Sequence, residues 1–71
     1  RDMYADITTV QKGDIVRFKS YALRVECEPI KTATSIRLQG RKSTEGAPFV
    51  NKWFLTGLTV EIERMQNALN D

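Results

Sequence analysis

The chain has 71 residues, 41% of them hydrophobic and 28% charged, with a formal net charge of +2 and no histidine. These totals exclude a disordered chain, a second core, and any catalysis or metal binding through imidazole. The one cysteine, Cys27, excludes an internal disulfide and favours a reducing compartment, so we expect a cytoplasmic protein. No apolar run approaches the roughly 20 residues that span a bilayer, so we expect no membrane partner. We also expect no cofactor, no metal ion and no catalytic residue.

The chain is predicted to form one domain over residues 1–71. Residues 1–11 carry little pattern, so an extended or loosely helical lead-in is expected there. A small β-barrel is predicted over residues 12–63. Residues 64–71 are predicted to form a C-terminal tail, either frayed or helical, since Met65 and Leu69 are four apart.

The clearest strand signals lie between Gly13 and Pro29. Glycine and aspartate at positions 13 and 14 predict a turn, and a strand follows over residues 15–18. A second strand is predicted over residues 21–28, because its apolar residues alternate with polar ones. Four side chains should therefore face the core: Tyr21, Leu23, Val25 and Cys27.

Three further strands are predicted in the second half of the chain. Ile36 and Leu38 alternate with polar residues and mark the third strand, which is followed by an exposed loop over residues 40–48. The fourth strand covers residues 49–55, and its facing is ambiguous because apolar residues occur on both sides of it. Val60 and Ile62 mark the fifth strand.

Five short strands without a long helix predict an all-β domain, a partly open five-stranded barrel of the SH3-like kind. An OB-like barrel and a small sandwich are the alternatives. The opening Gly13, Asp14, Ile15 and Val16 resembles the first strand of many SH3-like domains, including ribosomal and transcription-factor modules. This resemblance covers four residues and implies no site residue.

Arginines on the predicted wet faces suggest a binding surface for nucleic acid. If sequential strands are neighbours, Arg17, Arg24 and Arg37 share one outer surface, which Arg41 and Lys42 extend towards a rim. Such a surface could contact phosphates of RNA or single-stranded DNA. The competing interpretation is that acidic residues neutralise these cations across strands: Glu61 and Glu63 would pair with Arg17 or Lys19, and Glu26 and Glu28 with Arg24 or Arg37.

Aromatic residues suggest an interface. Trp53 and Phe54 are adjacent in a predicted strand, so they should point to opposite faces and leave one ring outside the core. Tyr21, Trp53 and Phe54 are therefore interface candidates, and Tyr21 or Trp53 could also stack on unpaired bases.

The leading functional hypothesis is a non-catalytic binding or assembly module that acts through its sheet surface and the 40–48 loop. Its partner would be another protein or a second copy of the chain. The alternative is nucleic-acid binding through the arginines. A third hypothesis is a catalytic site of Tyr, Gln, Lys and Asp residues formed between subunits.

Overall fold

The computed structural model describes residues 2–64 of the chain. It contains seven antiparallel strands: β1 (Asp2–Asp6), β2 (Ile15–Arg17), β3 (Ala22–Val25), β4 (Ile30–Lys31), β5 (Ser35–Lys42), β6 (Phe49–Leu55) and β7 (Thr59–Glu63). A 3-10 turn, Ile7–Thr9, follows β1, and no helix of the described residues is long and apolar enough to cross a membrane. The tail predicted over residues 64–71 lies outside the described residues, except for Arg64.

The sheet is open. Its strands lie in the order β1-β7-β2-β3-β5-β6, and β4 pairs with β5 on the same side as β3. Within residues 2–64, the end strands β1 and β6 do not pair with each other. The prediction of an all-β domain is confirmed, whereas the sheet does not close into a barrel.

One face of the sheet carries the core, as the sequence alternation predicts. Because side chains alternate along each strand and cross-strand partners share a face, pairs such as Val16 with Leu23 and with Ile62 bring apolar side chains together. The buried apolar residues are Ile7, Val10, Val16, Leu23, Val25, Ile36, Leu38, Val60 and Ile62. The opposite face is called the outer face below.

The second predicted strand is interrupted. Four residues lie between Val25 and Ile30, but only two lie between their partners Gly40 and Arg37, so two extra residues bulge out between β3 and β4. Cys27 lies in this bulge and is half-buried, so its predicted place in the inward series is wrong. The bulge removes it from the strand alternation.

The loop predicted over residues 40–48 is shorter in the structure, because β5 continues to Lys42. Gly40 makes this continuation possible. A Cβ atom at Gly40 would lie 1.8 Å from the backbone oxygen of Arg24, so β3 and β5 approach here in a way that only glycine allows. The remaining connection covers residues 43–48.

Strand β1 was not predicted. Its residues sit at the edge of the sheet and alternate weakly, with Met3 and Ala5 on the core side and Asp2 and Tyr4 on the outer face. Pairing with β7 holds β1 in place, with Asp2 opposite Glu63. The lead-in is therefore extended over its first part.

Candidate functional site

The outer face divides into an acidic half and a basic half. The acidic half lies on β1 and β7, where Asp2, Tyr4, Glu61 and Glu63 share the outer face. The Tyr4 hydroxyl donates a hydrogen bond of 3.3 Å to Glu61 Oε1. A hydrogen bond to Asp2 raises the pKa of Glu61, as expected where carboxylates crowd together.

Arg17 belongs to this acidic half. Its guanidinium donates a hydrogen bond to Glu63 and lies 3.9 Å from the Asp2 carboxylate. The bond to Glu63 raises the pKa of Arg17. Arg17 therefore shares the outer face with the other arginines, as predicted, but is engaged by carboxylates as in the competing interpretation.

The basic half of the outer face lies on β3, β5 and β6. We call it the arginine–aromatic face and define it by its largest side chains: Arg24, Arg37, Arg41, Phe49 and Trp53. The register places Arg24 opposite Arg41, Arg41 opposite Phe49, and Arg37 opposite Trp53. Paired residues lie on the same side of a sheet, so all five side chains project from one surface.

Each exposed ring of this face lies under an arginine. The Arg37 guanidinium carbon is 5.9 Å from the Trp53 ring centroid, and the Arg41 guanidinium carbon is 5.9 Å from that of Phe49. These distances are at the outer limit of cation–π contact. Trp53 remains 53% exposed and Phe49 45% exposed, so both rings keep surface for a ligand.

A groove adjoins the face at the end of β5. Its volume is about 320 Å³, and its lining includes Arg24, Glu26, Arg41, Ser43 and Thr44. Like charges placed directly opposite each other destabilise a sheet, and Arg24 and Arg41 are such a pair. Glu26 lies 3.7 Å from Arg41, whereas Arg24 makes no ion pair with any described residue. An anion bound here would relieve the repulsion between the two guanidinium groups.

Two other predicted site residues, Lys42 and Tyr21, do not project from this face, although Lys42 also lines the adjoining groove. Lys42 pairs with Leu23 and therefore projects from the core side of the sheet. Its ammonium nitrogen is 4.8 Å from the centroid of the Tyr21 ring, and that of Lys52 is 5.2 Å from the same ring. Tyr21 is half-buried against Phe18, with ring centroids 4.9 Å apart.

Trp53 and Phe54 point to opposite faces. Phe54 packs against the core and stacks on Phe18 with ring centroids 5.1 Å apart. Trp53 is the ring left outside. The sequence did not show which of the two rings is buried, because Lys52 lies between Val50 and Phe54 on the core side of the strand.

Phe49 and two amide residues, Gln39 and Asn51, join the face without having been predicted as site residues. The signal for Phe49 and Asn51 was the two-residue spacing of positions 49, 51 and 53. This spacing identifies a shared face only once the register of β6 with β5 is known. Among residues 2–64, no three His, Cys, Asp or Glu side chains come together in a way that could hold a metal ion.

Comparison of the chain with known protein families, with characterised proteins and with solved structures finds no significant match.

Proposed function

We propose that this protein is a non-catalytic binding module whose arginine–aromatic face and neighbouring 43–48 connection bind single-stranded nucleic acid, either RNA or DNA. One observation carries the proposal. Two exposed rings, Trp53 and Phe49, project from one sheet surface, each beside an arginine.

The chemistry of this face fits unpaired bases joined by phosphates. Aromatic rings stack on any base that is free of a duplex, and a sheet surface can present two or three such rings to splayed bases. Guanidinium groups bind phosphate oxygens in a bidentate manner. Trp53 and Phe49 would supply the stacking platforms, and Arg24 and Arg41 would contact the phosphates.

The distribution of charge along the chain supports placing the nucleic-acid strand on the arginine–aromatic face. Between residues 12 and 52 the sequence has nine Lys or Arg and four Asp or Glu, whereas residues 53–71 have one and three. The acidic half of the outer face would repel a polyanion and restrict it to β3, β5 and β6. The net charge of +2 does not reveal this division into a basic part and an acidic part.

The proposal can be tested by fluorescence, because Trp53 is the one tryptophan in the chain. Stacking of a base on Trp53 should quench its emission. Association constants for short RNA and DNA strands should fall with salt, with a log–log slope of about −0.7 for each phosphate contacted. Trp53→Ala should weaken binding by about tenfold, since base stacking contributes about 1–3 kcal/mol.

Leu55→Ala is the matched control for Trp53→Ala. Leu55 lies on the same strand and face and is 72% exposed, but it has no ring. Its loss should change affinity by less than about twofold. Unquenched emission and unchanged anisotropy of labelled strands at low salt would overturn the proposal.

Assembly is the second candidate function, and the free edge of β6 favours it. Phe49, Trp53 and Leu55 are exposed along this strand, and among the described residues only β5 pairs with it. A second copy or another protein could add a strand to such an edge. Lys52 at its middle opposes close self-pairing. Light scattering that shows a monomer across a wide concentration range would exclude the self-associating version.

We propose an SH3-like architecture, supported by the turn at Gly13 and the antiparallel pairing of β2 with β3. We propose a cytoplasmic location, supported by the lone cysteine. The absence of histidine from the sequence supports a non-catalytic role.

A further inference from the structure

The middle of the arginine–aromatic face carries a pair of amides. Gln39 on β5 lies directly opposite Asn51 on β6, between the Arg41–Phe49 pair and the Arg37–Trp53 pair. All three pairs project from the same side of the sheet. Successive pairs are two residues apart, which corresponds to about 7 Å along the strand, and the two ring-bearing pairs are about 13 Å apart.

Both side-chain amides are available to a ligand. Neither amide makes a hydrogen bond with another described residue, although the two are direct cross-strand neighbours. Asn51 is exposed and Gln39 is half-buried. Each offers one acceptor oxygen and an NH2 donor side by side.

On the edge that a base presents in the major groove, this pattern of donor and acceptor matches adenine alone. Adenine presents its N7 acceptor next to its N6 donor there, whereas guanine presents two acceptors, and Asn and Gln form two hydrogen bonds with that adenine edge. Single-strand recognition commonly combines stacking on aromatic rings with hydrogen bonds to base edges. A ring on either side of the amide pair would hold the strand while the amides contact the edge of a base.

We propose that Gln39 and Asn51 read base identity and make the arginine–aromatic face selective for adenine. This inference rests on the proposed binding of single strands and adds sequence preference to it. The arginines and rings would supply affinity that is independent of sequence. The amide pair would supply the difference between adenine and the other bases.

The test compares wild-type protein with Gln39→Met and Asn51→Leu, which keep side-chain size but remove the amides. Each is titrated with four labelled strands of equal length that carry adenine, guanine, cytosine or uracil throughout. Wild type should bind the adenine strand about tenfold more tightly than the pyrimidine strands. Each variant should lose this preference, while its affinity for the pyrimidine strands and its salt slope stay unchanged.

Gln11→Met is the matched control, because Gln11 is exposed and lies in the connection between β1 and β2, outside β5 and β6. Unchanged urea midpoints would show that the variants fold. If Gln39→Met does not fold, Asn51→Leu tests the inference alone, because Asn51 is exposed. Equal binding of all four strands by wild type, or equal weakening of all four by the variants, would overturn the inference but leave the proposed function standing. A preference for guanine would assign base reading to the arginines instead. Binding of no strand would remove both proposals.

Discussion

Arg64 donates two hydrogen bonds to the carboxylate of Asp14, from Nε to Oδ1 at 2.9 Å and from Nη2 to Oδ2 at 2.8 Å. Asp14 is 2% exposed and also accepts a 2.8 Å hydrogen bond from the Gln11 backbone N–H. The contact fastens the end of β7 to the turn before β2. It raises the pKa of Arg64, so the guanidinium stays protonated.

Removal of Arg64 should cost more stability than neutralisation of Asp14. Arg64→Gln leaves a buried carboxylate without its cation, and we expect the free energy of unfolding to fall by about 3 kcal/mol. In Asp14→Asn the remaining guanidinium is 35% exposed and can be hydrated, so a loss of about 1–2 kcal/mol is expected. Urea denaturation measures both. Arg24→Gln, on the exposed outer face, should stay within about 0.5 kcal/mol of wild type, and equal losses at positions 14 and 64 would contradict this account.

Gly40→Ala should be severely destabilising. The added methyl group would collide with the backbone oxygen of Arg24, which cannot move without separating β3 from β5. We expect a loss of about 3 kcal/mol or more, measured by urea denaturation. Gly46→Ala is the control: its φ of 78° strains an alanine by about 1–2 kcal/mol, but nothing lies within 4 Å of the new methyl group. Similar losses for the two variants would show that the close approach at Gly40 is unimportant.

Asp6 should make folding sensitive to acid. Its carboxylate accepts hydrogen bonds from the Thr8 N–H at 2.9 Å and the Thr8 hydroxyl at 2.8 Å, and these bonds lower the pKa of Asp6. A lowered pKa in the folded state gives stability that is complete above the ordinary value of 3.8 and is lost as pH falls through the folded pKa. Asp6→Asn should therefore flatten the decline of the urea midpoint below pH 3.8.

Glu61 should have the opposite effect to Asp6 on the pH dependence of stability. Its pKa is raised, chiefly by the hydrogen bond with Asp2, so its contribution favours folding at low pH and is lost as pH rises above 4.5. Glu61→Gln should change the pH profile above 4.5 and leave the acid limb in place. The same acid limb in Asp6→Asn and wild type would contradict the role assigned to Asp6.

Glu26→Gln should strengthen the binding of nucleic acid. Glu26 lines the groove and lies 3.7 Å from Arg41, so its carboxylate both competes for the guanidinium and repels phosphates. We expect binding about threefold tighter, in line with the strength of exposed ion pairs, by anisotropy with labelled strands. Glu28→Gln removes the same charge from the bulge, outside the groove lining, and should have a smaller effect. An equal gain in both variants would show that only net charge matters.

The alternation of side chains predicted most of the sheet. Leu23 with Val25, Ile36 with Leu38, and Val60 with Ile62 each mark a strand with one buried face, and all six residues are buried in the structure. Such alternation predicts a strand reliably where that strand pairs with another strand on each side. The bulge at Cys27 could not be predicted, because nothing in the local sequence shows that β5 has two fewer residues opposite it.

The candidate site was harder to predict than the core. The facing of β6 depends on its register with β5, since Val50 and Phe54 are partly buried and Lys52 between them is exposed. Lys42 was predicted to extend the arginine surface, and it lines the groove together with Arg24 and Arg41, although its position opposite Leu23 puts it on the core side of the sheet. Both placements depend on pairing between strands, which a single sequence indicates only weakly.

The strand order also separates early from late steps of folding. β5 and β6 are joined by residues 43–48 and pair along the whole length of β6, whereas Asp2 must find Glu63 across almost the entire chain. Local pairs close quickly and distant ones slowly, because loop closure costs more entropy as the loop lengthens. The hairpin with Trp53 and Phe49 should thus form before β1 docks, and amide hydrogens of β1 should exchange with solvent first. The basic half of the outer face would then be the longest-lived part of the molecule, and the acidic half the first to come apart.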